Sequence, residues 1–143
     1  MREEINLKRM VQNLLRPYDA IVDESEIDLT LDLEDSLLSV DVHKMEMVIS
    51  NLLSNAFRYV DNSRKIIVRL TADSFQVENS CERIPDKDLQ KLWDRFYRQE
   101  KSRARTLGGN GLGLAIVKHA LDLHEYGYKI SNTELGFMFQ IWF

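Results

Sequence analysis

With a single cysteine, Cys81, the chain has no means of forming an internal disulfide, as fits a reducing compartment. Basic excess is absent too. The formal net charge of −4 argues against a nucleic-acid binder, which carries a basic surface. No apolar stretch approaches the roughly 20 residues that cross a bilayer, and the charged opening Met-Arg-Glu-Glu is no signal peptide. Internal repeats and low-complexity segments are lacking. What remains is 143 residues, 44% of them hydrophobic, enough for one packed core and too few for two comfortable ones. The expectation is one cytoplasmic globular domain, on its own or cut from a longer protein.

Hydrophobic spacing sets the elements. Leu7, Met10, Val11, Leu14, Leu15, Tyr18 and Ile21 recur at helical intervals and predict an amphipathic helix over Leu7–Val22, with Pro17 as a kink. Ile27 to Leu33 alternates strictly, the pattern of a half-buried strand, and Leu37–Val40 reads as its short partner. Asp41 has the place of an N-cap for a helix from Val42 to about Val60. Lys65–Thr71 and Phe75–Glu78 form a hairpin pair, and Pro85 opens a short helix. Gly111–His124 reads as a helix with an apolar stripe of Leu112, Ala115, Ile116, His119, Ala120 and Leu123. Tyr128–Ser131 and Phe137–Phe143 supply two closing strands. Strands and long helices without βαβ alternation predict an α+β fold, a two-layer sandwich.

Two segments carry chemistry. Asn-Leu-Leu-Ser-Asn-Ala-Phe-Arg-Tyr, Asn51 to Tyr59, sets two poor helix formers one turn apart. At roughly 100° per residue, Asn51, Asn55 and Arg58 fall within about 60° of one another. Met45, Val48, Ile49, Leu52, Leu53, Ala56 and Val60 cover the far side. An asparagine carbonyl is a neutral, hard oxygen donor that suits Mg²⁺ beside phosphate and water, and Arg58 can neutralise phosphate charge. A plain solvated helix face is the competing reading of this segment. The second segment is the run Gly-Gly-Asn-Gly-Leu-Gly-Leu, Gly108 to Leu114. Its glycines are too close for a dinucleotide fingerprint, and no Gly-Lys-Ser/Thr follows. A flexible loop would then enter a helix whose first amides suit a polyanion, after a basic loop with Arg95, Arg98, Lys101, Arg103 and Arg105. A plain loop before an amphipathic helix is the bland alternative.

These residues resemble a known family. Asn51 to Tyr59 is similar to the N box of bacterial sensor histidine kinases, Phe96-Tyr-Arg98 to their F box, and Gly109 to Lys118 to their second glycine box. Val77 to Pro85 occupies the place of the first glycine box. The resemblance spans essentially the whole chain. It implies the ATP-binding catalytic domain of a two-component kinase, in the left-handed α/β sandwich shared with gyrase and the heat-shock chaperone ATPases. By that resemblance Asn55 ligates Mg²⁺, Asn51 and Arg58 hold the phosphates, and Tyr59 lies near the adenine. The stretch from Arg98 to Asn110 would form the ATP lid, with Gly109, Gly111 and Gly113 as hinge and phosphate contact. Ile84, Phe96 and Leu112 would also line the nucleotide.

The first glycine box departs from the pattern. Asn79 stands where the family has an aspartate that accepts the adenine amino proton, which keeps a carbonyl but loses charge, at a cost on the order of 1 kcal/mol. Cys81 and Arg83 stand where glycines are expected. Hydrolytic relatives resemble this chain but carry a glutamate at the place of Asn51. An amide takes no proton at neutral pH, whereas a neutral imidazole can attack phosphorus unaided. The expected reaction is therefore γ-phosphoryl transfer from ATP·Mg²⁺ to a histidine on a separate dimerisation domain, then to a response-regulator aspartate. A docking module that no longer holds nucleotide, a hydrolytic ATPase and a serine kinase of the anti-sigma type are the alternatives. No segment here resembles the phosphorylated histidine motif, and His43, His119 and His124 read as structural. Dimerisation and sensor parts are thus expected to lie elsewhere in a homodimeric, membrane-associated protein, with this domain on its cytoplasmic side and Met1 not a native start.

Overall fold

A computed structural model describes residues 1–93 and 113–143. Five strands form the main sheet in the order β2-β4-β5-β7-β6: β2 (Asp28–Leu33), β4 (Lys65–Leu70), β5 (Ser74–Ser80), β7 (Gly136–Trp142) and β6 (Gly127–Asn132). β2 and β4 run parallel, and the other neighbours are antiparallel. A separate two-stranded ribbon pairs β1 (Glu3–Asn6) with β3 (Leu37–Val40). The expected α+β sandwich is present, with a mixed, mostly antiparallel sheet under the helices.

Alternation fixes which sheet face is dry. Ile66, Val68 and Leu70 of β4, Phe75 and Val77 of β5, and Phe139 and Ile141 of β7 all point to the helical layer and are buried. Three main helices close it: α1 (Leu7–Leu15), α3 (Val42–Tyr59) and α5 (Gly113–Leu123); α2 (Asp19–Glu24) and α4 (Asp86–Leu89) are short. α3 buries Met45, Val48, Ile49, Leu52, Leu53 and Ala56, the face that its spacing predicts. Trp93 fills the far end, its ring edge-on to Tyr128 at 4.8 Å and to Phe139 at 4.9 Å. Each large side chain sealed in this way contributes about 1.5–3 kcal/mol.

Three expectations are corrected. The helix over Leu7–Val22 is broken by a 3₁₀ turn at Arg16–Tyr18 around Pro17, and Ile21 beyond it is 44% exposed. Proline lacks the N–H that would continue the ladder. Leu37–Val40 does not pair with the preceding strand. β2 gives its ladder to β4, continued by Glu34 N–H to the Leu70 carbonyl (2.9 Å). The Asn6 carboxamide meanwhile captures the turn, donating to Asp35 and accepting from Ser36 N–H, and so delivers β3 to β1. The stripe on α5 is also displaced. Val117, Ala120 and Leu121 face the core, followed by His124, whereas Ile116, His119 and Leu123 face solvent.

His124 explains the rotation. Its Nδ1 lies 2.8 Å from the Ala120 carbonyl, and its Nε2 accepts the Asp41 N–H at 3.1 Å, so a neutral ring ties the end of α5 to the start of α3. At that start Asp41 accepts the Lys44 N–H at 3.1 Å, an N-cap as the sequence predicts. The hydrogen bond from Lys44, joined by the Lys44 charge, holds the Asp41 carboxyl below the usual carboxylate range. A depressed folded pKa adds stability above the unfolded value and loses it as pH falls through the folded one. The unaltered chain should therefore shed an increment of stability below about pH 4 that Asp41→Asn, a cap without charge, does not. Melting curves from about pH 7 to about pH 3 check this; parallel declines would refute it.

Gly136 supplies a sharper test. A Cβ there would lie 2.4 Å from both the Asn79 carbonyl oxygen and the Cys81 nitrogen, so backbone would have to move. Gly136→Ala is expected to cost about 1–3 kcal/mol, the usual range for forced overpacking. An unchanged thermal midpoint would contradict that contact.

Candidate nucleotide site

α3 and α5 are antiparallel neighbours, α3 of 18 residues and α5 of 11. Asp41 meets His124 at one end, and Asn51 meets Gly113 at the other. The intervening spans are about 15 Å of each helix at 1.5 Å per residue. Beyond Asn51 the last two turns of α3 run past the first described residue of α5, and those turns carry Asn55, Arg58 and Tyr59. The carboxamides thus sit where one helix stops covering the other.

The Asn51 amide is held in place. Its Nδ2 donates to the Met47 carbonyl one turn back at 2.7 Å, which turns Oδ1 toward α5. A Cβ on Gly113 would stand 2.9 Å from that oxygen, closer than side chains tolerate. A side chain there would displace the Asn51 amide from its place. Asn55, partly exposed one turn on, has no hydrogen bond among the described residues. Its carbonyl oxygen is a free hard donor. Arg58 reaches back to Ser54 Oγ at 3.2 Å and lies 5.8 Å from the centre of the Tyr59 ring. The guanidinium therefore flanks the amide face instead of crossing it.

The end of β5 lies beside the end of α3. Asp61 N–H donates to the Ser80 carbonyl at 2.9 Å, and Lys65 N–H to Ser80 Oγ at 3.0 Å, which ties the end of α3 to this strand. Asn79 shares the core-facing side with Phe75 and Val77 and is 4% exposed. Its Nδ2 donates to the Ser80 carbonyl at 3.3 Å, and its Oδ1 takes no hydrogen bond from another described residue. Cys81 follows, half-buried, with its thiol pushed up by burial and by the Asp61 carboxylate. A thiol raised in this way is protonated at neutral pH, which disfavours a nucleophilic role. Next comes Ile84, 7% exposed, held by both backbone groups to the Asn132 side chain (2.9 and 2.7 Å).

Of the sequence-predicted site residues, Asn51, Asn55, Arg58, Tyr59, Asn79, Ile84 and Gly113 are described. α3 carries the first four, β5 carries Asn79, the connection from β5 to α4 carries Ile84, and α5 carries the last. Phe96, Arg98, Gly109, Gly111 and Leu112 lie outside the described residues, as do Arg95, Lys101, Arg103 and Arg105 of the basic loop. Sequence reasoning missed Ser80 and Asn132. Both sit in strands or turns where a polar residue is unremarked, and no spacing rule marks them out. Among the described residues no group of three or more His, Cys, Asp or Glu could hold a metal. The available oxygens are neutral amides, which suit a cation that arrives with most of its ligands. His43 and His119 are exposed, and neither is at the site as described.

Residues 40–143 match the family described as histidine kinase-, DNA gyrase B-, and HSP90-like ATPase. Sensor histidine kinase CusS of Escherichia coli O6:H1 is 32% identical over 144 residues, covering 98% of this chain and 30% of that protein. WalK of Bacillus subtilis, also a sensor histidine kinase, is 31% identical over 131 residues, covering 86% and 21%. The chain thus spans less than a third of the length of these curated relatives. Among solved structures, the catalytic domain of histidine kinase ThkA has a TM-score of 0.85 at 24% identity, covering 99% of this chain and 93% of its own. Mycobacterial sensor histidine kinase MprB gives 0.80 at 19%, covering 99% and 95%. Those likenesses carry the fold. The family match, taken with the helix pair and strand end described above, places the chain in the histidine kinase-, DNA gyrase B- and HSP90-like ATPase family.

Proposed function

We propose that the chain is the catalytic, ATP-binding domain of a sensor histidine kinase. It binds ATP with Mg²⁺ and presents the γ-phosphoryl group to a histidine on a separate dimerisation domain, for relay to a response-regulator aspartate. One observation carries this reading: a carboxamide, Asn51, and not a carboxylate, faces Gly113 where α3 meets α5. A water-activating base is what a hydrolytic site would need there. Without one, catalysis rests on charge neutralisation and alignment, which suffice for a neutral imidazole acceptor.

The residues divide the work. Asn55 offers its unbonded oxygen toward the phosphates, and Asn51, locked by Met47, holds the first amide in register. Arg58 supplies positive charge beside them. Asn55 would hold a magnesium ion through its neutral amide oxygen, and the ion would supply divalent charge to offset the phosphates. Asn79 turns an acceptor to the base, with Tyr59 and Ile84 as apolar walls. Partners follow from the same reading: a histidine-bearing dimerisation domain, a response regulator, and a homodimeric, membrane-associated whole with this domain in the cytoplasm. None of the described helices is long and apolar enough to cross a membrane.

Two measurements test the proposal. Calorimetric titration with Mg·ADP should give saturable binding, and Asn55→Ala should weaken it at least about tenfold with an unchanged melting temperature. Retained metal-dependent affinity removes Asn55 from its role. In the same assay Asn79→Ala should narrow the preference for adenine over guanine nucleotides; an unaltered preference counts against its contact with the base. Mixed with labelled ATP and its own dimerisation domain, the chain should yield acid-labile phosphohistidine. Rapid phosphate release by the chain alone would point instead to hydrolysis.

A further inference from the structure

The stretch Cys81-Glu-Arg-Ile-Pro85 joins β5 to α4 without a single glycine, so its backbone has less freedom than the box it replaces. Something outside the stretch must fix its path. Asn132, the last residue of β6, does so. Its Oδ1 accepts the Ile84 N–H at 2.9 Å, and its Nδ2 donates to the Ile84 carbonyl at 2.7 Å. One carboxamide thereby imitates a ladder partner and satisfies both polar groups of a buried residue. A third, longer contact of 3.4 Å runs from Nδ2 to Asp86 at the start of α4. Gly136 braces the same stretch from behind, in contact with the backbone of Asn79 to Cys81. Across the hairpin, Phe137 is in register with both Asn132 and Asn79. Asn79 and Ile84, two of the three residues assigned to the base, are thus held by one hairpin end.

We propose that Asn132 is a positioning residue for base recognition: by clamping the Ile84 backbone to the β6–β7 hairpin it sets the Ile84 side chain against the purine. The inference rests on the nucleotide-binding reading above and goes further, because it assigns selectivity to a residue outside the boxes that resemble the kinase family. A pure fold brace would stabilise the hairpin and affect all nucleotides alike. A positioning residue acts on the base and leaves the phosphate end, on α3, undisturbed.

The test is titration of the full chain with Mg·ADP and Mg·GDP, for the unaltered protein, Asn132→Ala and Asn132→Asp. Asn132→Ala should lose about tenfold in ADP affinity, and the ADP-to-GDP ratio should fall by a similar factor. Amide exchange at Ile84 should speed up, while Phe75 and Leu121 in the core keep their protection. Asn132→Asp retains the acceptor for the Ile84 N–H but turns its second oxygen toward a carbonyl and the Asp86 carboxylate. It should match the alanine variant near pH 7 and recover part of the ratio as acidification protonates the new carboxyl. Should Asn132→Ala melt below the assay temperature, that recovery carries the test, and its absence overturns the inference. Equal losses for ADP and GDP would reduce Asn132 to a brace and overturn it, as would unchanged affinity. Failure of the unaltered chain to bind ADP overturns the nucleotide reading and this inference together, whereas binding by the unaltered chain with indifferent variants overturns this one alone.

Discussion

The arrangement depends on the approach of α5 to the Asn51 carboxamide of α3. A Cβ on Gly113 would stand 2.9 Å from the Asn51 oxygen, so the amide held by Met47 would have to shift. His124 closes the other end of the pair on Asp41. Between these fasteners α3 is dry on one side and shielded by α5 along its first half. Its second half, with Asn55, Arg58 and Tyr59 on it, runs past the first described residue of α5 and is partly exposed among the described residues. A helix buried along its full length could not offer oxygen donors, and one exposed along its full length would not hold them still. The staggered overlap satisfies both demands.

The groups assigned to the site are mostly neutral. Asn51, Asn55, Asn79 and Asn132 are carboxamides, Cys81 keeps its proton, and among the described residues no carboxylate cluster competes for a metal. Neutral donors and acceptors bind a highly charged ligand without repelling it or abstracting its protons. The charge needed for phosphoryl transfer then has to come with the ligand or from arginine. This division separates a transferase from a hydrolase on the same fold, because water is activated by a base and imidazole is not.

Much of this was legible in the chain. The buried face of α3 follows from 3.6-residue spacing, and the Asp41 cap from residue type at a helix start, because both are local effects. The asparagine pair was visible as an affront to helix propensity. The partner of β3 was not, since alternation tells which face is dry and says nothing of which edge is taken. Asn6 decided it, through a side chain that captures a turn thirty residues away. On α5, Ile116 and Leu123 fit a helical stripe as well as Val117 and Leu121 do. The His124 ring, a polar group buried by two hydrogen bonds, fixed the helix rotation. Asn132 was illegible for a similar reason: its importance lies in the distant backbone it holds.

Tyr18, in the 3₁₀ turn, stacks flat on Phe57 of α3 with ring centres 4.2 Å apart and planes 6° from parallel. Leu7, Val11 and Leu15 are sealed into the same core, and β1 is the partner of β3. All of these precede residue 40, where the family match starts. A protein trimmed to that boundary would lose the lining of its own interior together with β1, β2 and most of β3, leaving a greasy helix flank and the β4 edge that β2 had covered facing water. The stretch before residue 40, silent to the family comparison, is a wall of the molecule and not a leader to it.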